Sequence, residues 1–344
     1  MHIQKFVYKI IGSRAIKEIA LEEIKSIYIA LVKGKKLDVD IGIEKDNVIL
    51  EAPLYIGLEI ARRAALIKYA GILISNRNSV SLQPFRISFK SISIVPRTIR
   101  VEILDPNSDT VAQIRETVTR LKKVLGPFFI NLQRPYFDIN VLSISGEKHI
   151  VLKIPIGRKS ILKRDPFFRP FAPPATMDSV ISRVLVNLSR VNVGEILLDP
   201  FCGSGSLLIE AYYVGAYPVG LEIHPKSIYG AIYNAQKCGA EINVMVGDAT
   251  KMPFPDNAID AIATDPPYGR SAGTFKRTLI SLYTEFLKEA YRVLKPHSYL
   301  SMCYPPYLQK VPNIASRIGF NESFRSSMYV HKGLTRLISV FFVP

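Results

Sequence analysis

Cysteine is scarce in this 344-residue chain: Cys202, Cys238 and Cys303 lie far apart. Three scattered thiols exclude a disulfide scaffold and form no CxxC metal knuckle. Long apolar runs are also missing. AALIKYAGILIS, one of the longest, carries Lys68 and Gly71, and no window approaches the ~20 apolar residues of a membrane helix. The opening MHIQKFVYKIIGSRAIKEIALEE lacks the uninterrupted apolar centre of a signal peptide. No repeat or low-complexity tract stands out. The expectation is a soluble, cytoplasmic protein with no membrane association.

Negative charge is sparse in the front half. The whole chain has 45 Lys and Arg against 29 Asp and Glu, a net charge of +16. Residues 1–170 hold 29 of those basic residues and 16 acidic ones, whereas residues 171–344 hold 16 and 13. Self-repulsion concentrated in one half is commonly offset by a polyanionic partner. The plainer alternative is a Lys-rich solvated surface. Hydrophobic residues make up 48% of the chain, enough for a sizeable core, so wholesale disorder is excluded. At roughly 150 residues per domain, the length suggests two or three domains.

The seam falls in IGRKSILKRDPFFRPFAPPATM (156–177), where Pro166, Pro170, Pro173 and Pro174 interrupt a basic stretch. That composition predicts an extended linker without regular structure. Before it, FRISFKSISIV (85–95), FDINVLSIS (137–145) and HIVLKIPI (149–156) alternate as strands do. Ile114, Val118, Leu121 and Leu125 have helical spacing, which turns Arg115, Lys122 and Lys123 to solvent. Small α+β modules are expected there, not one large sheet. After the seam, strand and helix alternate regularly. Asp178 can cap a helix with an Ile181, Val184, Leu185, Leu188, Val191 stripe, and apolar strands follow in EILLDPF, PVGLEI, EINVMV, AIDAIAT and SYLSMCY. The pattern predicts an α/β, doubly wound parallel sheet of Rossmann-like type. The tail reads as a hairpin turning at residues 331–333.

Chemistry concentrates at the predicted carboxyl ends of these strands. Asp199-Pro-Phe201-Cys-Gly203-Ser-Gly205 ends the first, and its glycines let backbone approach a ligand at a helix start. A dinucleotide fingerprint needs Gly or Ala where Leu208 stands, and Asp199 would repel a pyrophosphate. Asp199 suits a cationic α-amino group instead. Glu222, followed by Ile223, ends the second strand at the distance where a carboxylate chelates ribose hydroxyls. Asp248 and Ala249 after the third offer an acceptor and a backbone N–H to an adenine. An adenosine ligand without pyrophosphate fits all three, and S-adenosylmethionine answers that description. For Glu222 and Asp248 the plainer alternatives are a solvated strand end and a turn.

Asp265-Pro266-Pro267-Tyr268 ends the fourth strand. The prolines stiffen the turn and fix neighbouring carbonyls. A carboxylate and the Pro266 carbonyl can accept both N–H bonds of a base amine while an aromatic ring stacks on the extruded base. Asp265, Pro266 and Tyr268 are therefore the catalytic candidates, and a proline turn without chemistry is the alternative. No spacing of His224, His297 and His331 suggests a metal site, and Cys202 reads as a packing residue. Cytosine-C5 methylation would need a catalytic cysteine, which this tetrapeptide lacks.

The runs DPFCGSGSLLIEA, GLEI, GDA and DPPYGRSA resemble class I S-adenosylmethionine-dependent methyltransferases acting on exocyclic amines of nucleic acids. The closest resemblance is to the archaeal and eukaryotic tRNA guanosine-N2 methyltransferases of position ten. INLQRPYFDINVLSI (130–144) is similar to the strand signature of a THUMP RNA-binding domain. The family usually has His where Ala172 stands, and Asp plus a second acid where this chain has Glu222 and His224. The resemblance implies an N-terminal ferredoxin-like domain (1–60), a THUMP domain (61–155), a linker (156–175) and a methyltransferase domain (176–344). It places Phe171, Pro173 and Thr176 over the methionine end of the cofactor. It implies a tRNA partner, for which Arg115, Lys122, Lys123, Arg134, Arg158, Lys159 and Arg270 are the contact candidates. Eukaryotic members use an activating partner subunit, so that question stays open here, as does the addition of one methyl or two. Another THUMP-type guanine-N2 methyltransferase, a DNA adenine-N6 methyltransferase and a non-catalytic RNA-binding protein are the competing readings.

Overall fold

Aromatic and β-branched residues in IQKFVYKI make Ile3–Ile10 the first strand, β1, with Phe6, Val7, Tyr8 and Ile10 all buried. The structure is a computed structural model describing residues 3–33, 41–44, 46–76, 79–80, 98–104, 110–125, 128–135, 137–144, 147–174, 176–269, 278–331 and 334–344. After β1 come α1 (Arg14–Val32), β2 (Ile41–Glu44), β3 (Asn47–Pro53), α2 (Leu54–Arg63) and β4 (Ile67–Leu73). A two-residue ribbon, β5 (Ser75–Asn76) and β6 (Ser79–Val80), leads to β7 (Thr98–Ile103), α3 (Thr110–Leu125), β8 (Phe129–Ile130), β9 (Phe137–Ile144) and β10 (Glu147–Lys153). FRISFKSISIV lies outside the described residues.

The first of two units comprises Met1–Ile11, Lys36–Arg62 and Ile67–Ile156. Its strands form one eight-stranded sheet in the order β2-β3-β1-β4-β10-β9-β7-β8, with Val7, Tyr69, Leu142, Ile144 and Val151 in its core. The expectation that no single large sheet would form here is corrected. Two four-stranded halves join along β4 and β10, where Leu73, Ile72 and Gly71 face Val151, Leu152 and Lys153. Edge-to-edge pairing removes two strand edges that would otherwise be exposed.

The second unit comprises Gly12–Lys35, Arg63–Leu66 and Gly157–Pro344. It holds α4 (Arg158–Leu162), α5 (Ser179–Leu188), β11 (Ile196–Asp199), α6 (Ser206–Val214), β12 (Tyr217–Glu222), α7 (Pro225–Cys238), β13 (Asn243–Val246) and β14 (Ile259–Thr264). Then follow α8 (Leu279–Val293), β15 (Leu294–Tyr304), α9 (Val311–Ile318), β16 (Asn321–His331) and β17 (Leu334–Phe342). The sheet order is β13-β12-β11-β14-β15-β17-β16, parallel from β13 to β15, with β17 antiparallel to both β15 and β16. Leu198, Leu221, Ile262, Phe286, Leu300 and Phe341 belong to its core. The switch in strand order beside β11 opens a crevice at the carboxyl edge.

Asp178 caps α5 as its sequence implies, accepting from the Ile181 N–H at 2.9 Å. The helix is buried around most of its circumference, not on one stripe. Helix α1 supplies the additional cover. Its Glu23, fully buried, accepts from the N–H groups of Ala65 (2.9 Å) and Leu66 (3.0 Å) and from Asn187 Nδ2 (2.8 Å). Arg63 donates to Asn187 Oδ1 (3.3 Å) and the Val191 carbonyl (2.9 Å).

The expected extended linker is also corrected. Residues 158–162 form α4, and Pro166–Phe168 form a 3-10 turn capped by Asp165. Pro166 stands at the start of that turn, where its missing N–H costs nothing. Several basic residues of the segment are used internally. Arg164 pairs with buried Glu210, which also takes Arg183, and Arg169 donates to Ser206 Oγ at 2.6 Å. No helix among the described residues is long and apolar enough to cross a membrane.

Candidate active site

A cavity of about 730 Å³ opens at the carboxyl ends of β11, β12, β13 and β14. Pro173, Thr176, Asp199, Phe201, Gly203, Glu222, Ile223, Asp248, Ala249 and Asp265 line it, uniting ten of the twelve residues expected from sequence to hold a cofactor. The other two, Phe171 and Gly205, shape the wall from behind. Gly205 has φ +82° and a Cβ there would meet Ala231 Cβ at 3.1 Å, so only glycine lets the loop enter α6 this close to α7. The Phe171 ring occupies the space a Cβ on Gly230 would need. The backbone of Phe171 is clasped by Asn234, which accepts its N–H at 3.0 Å and donates to its carbonyl at 2.7 Å. Thr176 Oγ1 closes the following turn on the Pro173 carbonyl at 2.7 Å.

The carboxylates have different neighbours. Asp199 Oδ1 accepts from Thr264 Oγ1 (2.7 Å) and the Phe201 N–H (3.2 Å), whereas Oδ2 is buried without a hydrogen-bond partner. Burial pushes the Asp199 pKa up to about 7, against those two donors and helped by the nearby Asp265 and Glu222 charges. Glu222 accepts from the Gly203 N–H at 3.0 Å and the His224 N–H at 2.9 Å, which ties the glycine loop to the end of β12. Asp248 Oδ1 accepts from the Thr250 N–H (2.9 Å) and hydroxyl (2.7 Å). An orphaned acceptor in the wall beside a glycine cradle fits a cationic amine of an adenosyl ligand.

On the same rim stands the tetrapeptide. Tyr268 Oη donates to Asp265 Oδ1 at 2.7 Å, and the Arg336 guanidinium lies 3.5 Å from Asp265 Oδ2 while its Nε donates to Tyr268 Oη at 3.3 Å. Tyr307, at the end of a second Pro-Pro-Tyr run after β15, donates to the Tyr268 carbonyl at 2.5 Å. Burial raises the Asp265 pKa, and Arg336 and Tyr268 pull it back down. Burial raises that of Tyr268, so its phenol keeps its proton. Cys303 beside them is pushed well above its ordinary value by burial and by Asp265, which makes it a poor nucleophile.

Sequence reasoning missed Arg336. It lies 71 positions from Asp265, but β17 runs antiparallel to β15, so its start reaches the carboxyl edge where Asp265 sits. The available signal was a single charge inside the otherwise uncharged LTRLISV. Among the basic candidates, Arg115, Lys122, Lys123, Arg134 and Lys159 are exposed. Arg158 is half-buried and donates to the Ala65 carbonyl, and Arg270 lies outside the described residues.

The strand order, the glycine loop after the first parallel strand and the acidic strand ends define a Rossmann-like class I methyltransferase. The family described as RMKL-like, methyltransferase domain, matches residues 166–336. A tRNA (guanine(10)-N2)-dimethyltransferase from Pyrococcus abyssi is 32% identical over 293 residues, 81% of this chain and 84% of the relative. Proteins of that name from Methanothermobacter thermautotrophicus and Methanocaldococcus jannaschii are 36% and 32% identical over 61% and 62% of the chain. The chain belongs to the tRNA (guanine(10)-N2)-dimethyltransferase family. Its alignments span 62% and 59% of the lengths of the latter two. The crystal structure of TrmN from Thermus thermophilus covers the whole chain at 19% identity with a TM-score of 0.48.

Proposed function

We propose that the protein methylates the exocyclic N2 of a guanosine in tRNA, at position ten, using S-adenosylmethionine. The observation that carries this reading is Asp265, which lines the cavity and is bonded to Tyr268 of the tetrapeptide, so that donor site and amine site share one residue. The bound cofactor supplies a methyl group on a cationic sulfonium. Asp199 Oδ2 takes its α-amino group, Glu222 its ribose hydroxyls, and Asp248 with Ala249 its adenine. Pro173 and Thr176 cover its methionine end.

Asp265 and the Pro266 carbonyl accept the two N–H bonds of the target amine. This favours pyramidal nitrogen, whose lone pair is otherwise conjugated into the ring, and it counts most as positive charge develops. Tyr268 stacks on the base. The amine loses its proton, once methylated, to Asp265 or water. The proposal assigns residues 1–60 to a ferredoxin-like domain and 61–155 to a THUMP module that grips the tRNA. With a tRNA substrate and no membrane helix among the described residues, we assign the protein to the cytoplasm.

The test is mass spectrometry of nucleosides from tRNA incubated with the protein and methyl-labelled S-adenosylmethionine. Labelled N2-methyl- or N2,N2-dimethylguanosine at position ten is expected. Label confined to another position, to adenine of DNA, or to nothing overturns the reading.

A further inference from the structure

We infer that Arg336 is a positioning residue that keeps Asp265 ionised and aimed, acting through the closed contact of Arg336, Asp265 and Tyr268. The inference rests on the reading of Asp265 as the acceptor of the target amine, but its physical core concerns this protein alone.

Arg336 is 4% exposed, and a guanidinium is not buried cheaply without a partner. Its partners are the two side chains of the tetrapeptide: Asp265 Oδ2 at 3.5 Å and Tyr268 Oη at 3.3 Å. By donating Nε to the phenol oxygen, Arg336 turns the Tyr268 proton towards Asp265 Oδ1, 2.7 Å away. Each Asp265 oxygen is thereby held from one side, and each keeps lone pairs for an incoming amine. Among the described residues, the groups acting on Asp265 other than Arg336 are neutral or acidic. Asp199 approaches from the end of β11, Tyr283 from α8, Cys303 from β15 and Tyr268 from its own turn. Arg336, from β17, is the one cation among these groups. Without it, burial favours the protonated carboxyl, which can no longer accept through both oxygens.

The direct experiment follows the carboxyl carbons of protein labelled with 13C-aspartate, the Asp265 resonance being identified by its loss in Asp265→Asn. In Arg336→Met, Asp265 should titrate about one to three pH units higher than in the wild type, the usual effect of an opposite charge at this range. Arg336→Lys should restore most of the difference. An Asp265 titration unchanged in Arg336→Met overturns the inference whatever the substrate proves to be. Single-turnover methylation then tests the consequence. The acid limb of the rate should move up with the Asp265 titration, the variants should converge above both limbs, and Arg336→Met should add little to Asp265→Asn. An equal loss at every pH, or a full additive loss in the double variant, assigns Arg336 a merely structural role and refutes the proposal. A wild-type enzyme that titrates as described yet leaves guanosine unlabelled would overturn the substrate reading, not the role of Arg336.

Discussion

Asp199 holds one oxygen in two donor contacts and leaves the other buried without a partner behind the cavity wall. Its carboxyl, raised to about 7 by burial, bears a linkage of definite sign. In the free protein the ionised form is penalised relative to the unfolded chain. This group therefore favours folding in acid, and that contribution is lost as pH rises from about 4 towards 7. A bound cation reverses the preference. Affinity for S-adenosylmethionine should thus climb with pH by up to about tenfold per unit below pH 7, level off above it, and release a proton on binding in acid. Asp199→Asn should flatten the profile and weaken binding by roughly tenfold or more, the worth of a charged hydrogen bond. Calorimetry between about pH 5 and 8 decides: a wild-type affinity independent of pH removes Asp199 from the amine contact.

Helix α1 illustrates how an element far off in sequence completes the methyltransferase unit. Its Glu23 satisfies three donors, two from residues 65 and 66 and one from Asn187 on α5. Burial raises the Glu23 pKa against those hydrogen bonds. Glu23→Ala would leave three buried donors without their acceptor. At roughly 1–3 kcal/mol for each unsatisfied group, a loss of about 3 kcal/mol or more is expected. Urea denaturation checks it, and an unchanged midpoint would show that water or repacking replaces the carboxylate. The segment 158–169 makes the same point with opposite charge. Arg164, which composition alone assigns to a basic linker, is stacked 3.9 Å over Tyr213 and locked to Glu210.

The whole molecule has a formal charge of +16, and part of that excess is structurally committed. Arg164, Arg169 and Arg183 are buried, while Lys122 and Lys123 project from α3. The proposed tRNA grip should therefore depend on the exposed lysines and be strongly salt-dependent. Four phosphate contacts would lose about a hundredfold in affinity between about 50 and 200 mM salt. Reversing both charges with Lys122→Glu and Lys123→Glu should reduce the logarithmic salt slope by about two. Filter binding across a salt series with an unchanged slope would place the tRNA on another surface.

Local sequence sufficed for the parallel strands, their order of appearance and the cavity-lining residues at their carboxyl ends. Strand-end motifs such as Asp199–Gly205 and Asp265–Tyr268 are local, because a glycine loop or a double proline acts on the residues beside it. The cap at Asp178 and the final hairpin were legible for the same reason. Tertiary structure decided what depends on distant neighbours: the joining of two half-sheets along β4 and β10, the cover that α1 gives α5, and the withdrawal of Arg164 and Arg169 from solvent. It alone decided that Arg336 belongs to the site. An antiparallel strand reverses direction, so the start of β17 meets the end of β15, and no local pattern around an isolated arginine encodes which carboxylate waits there.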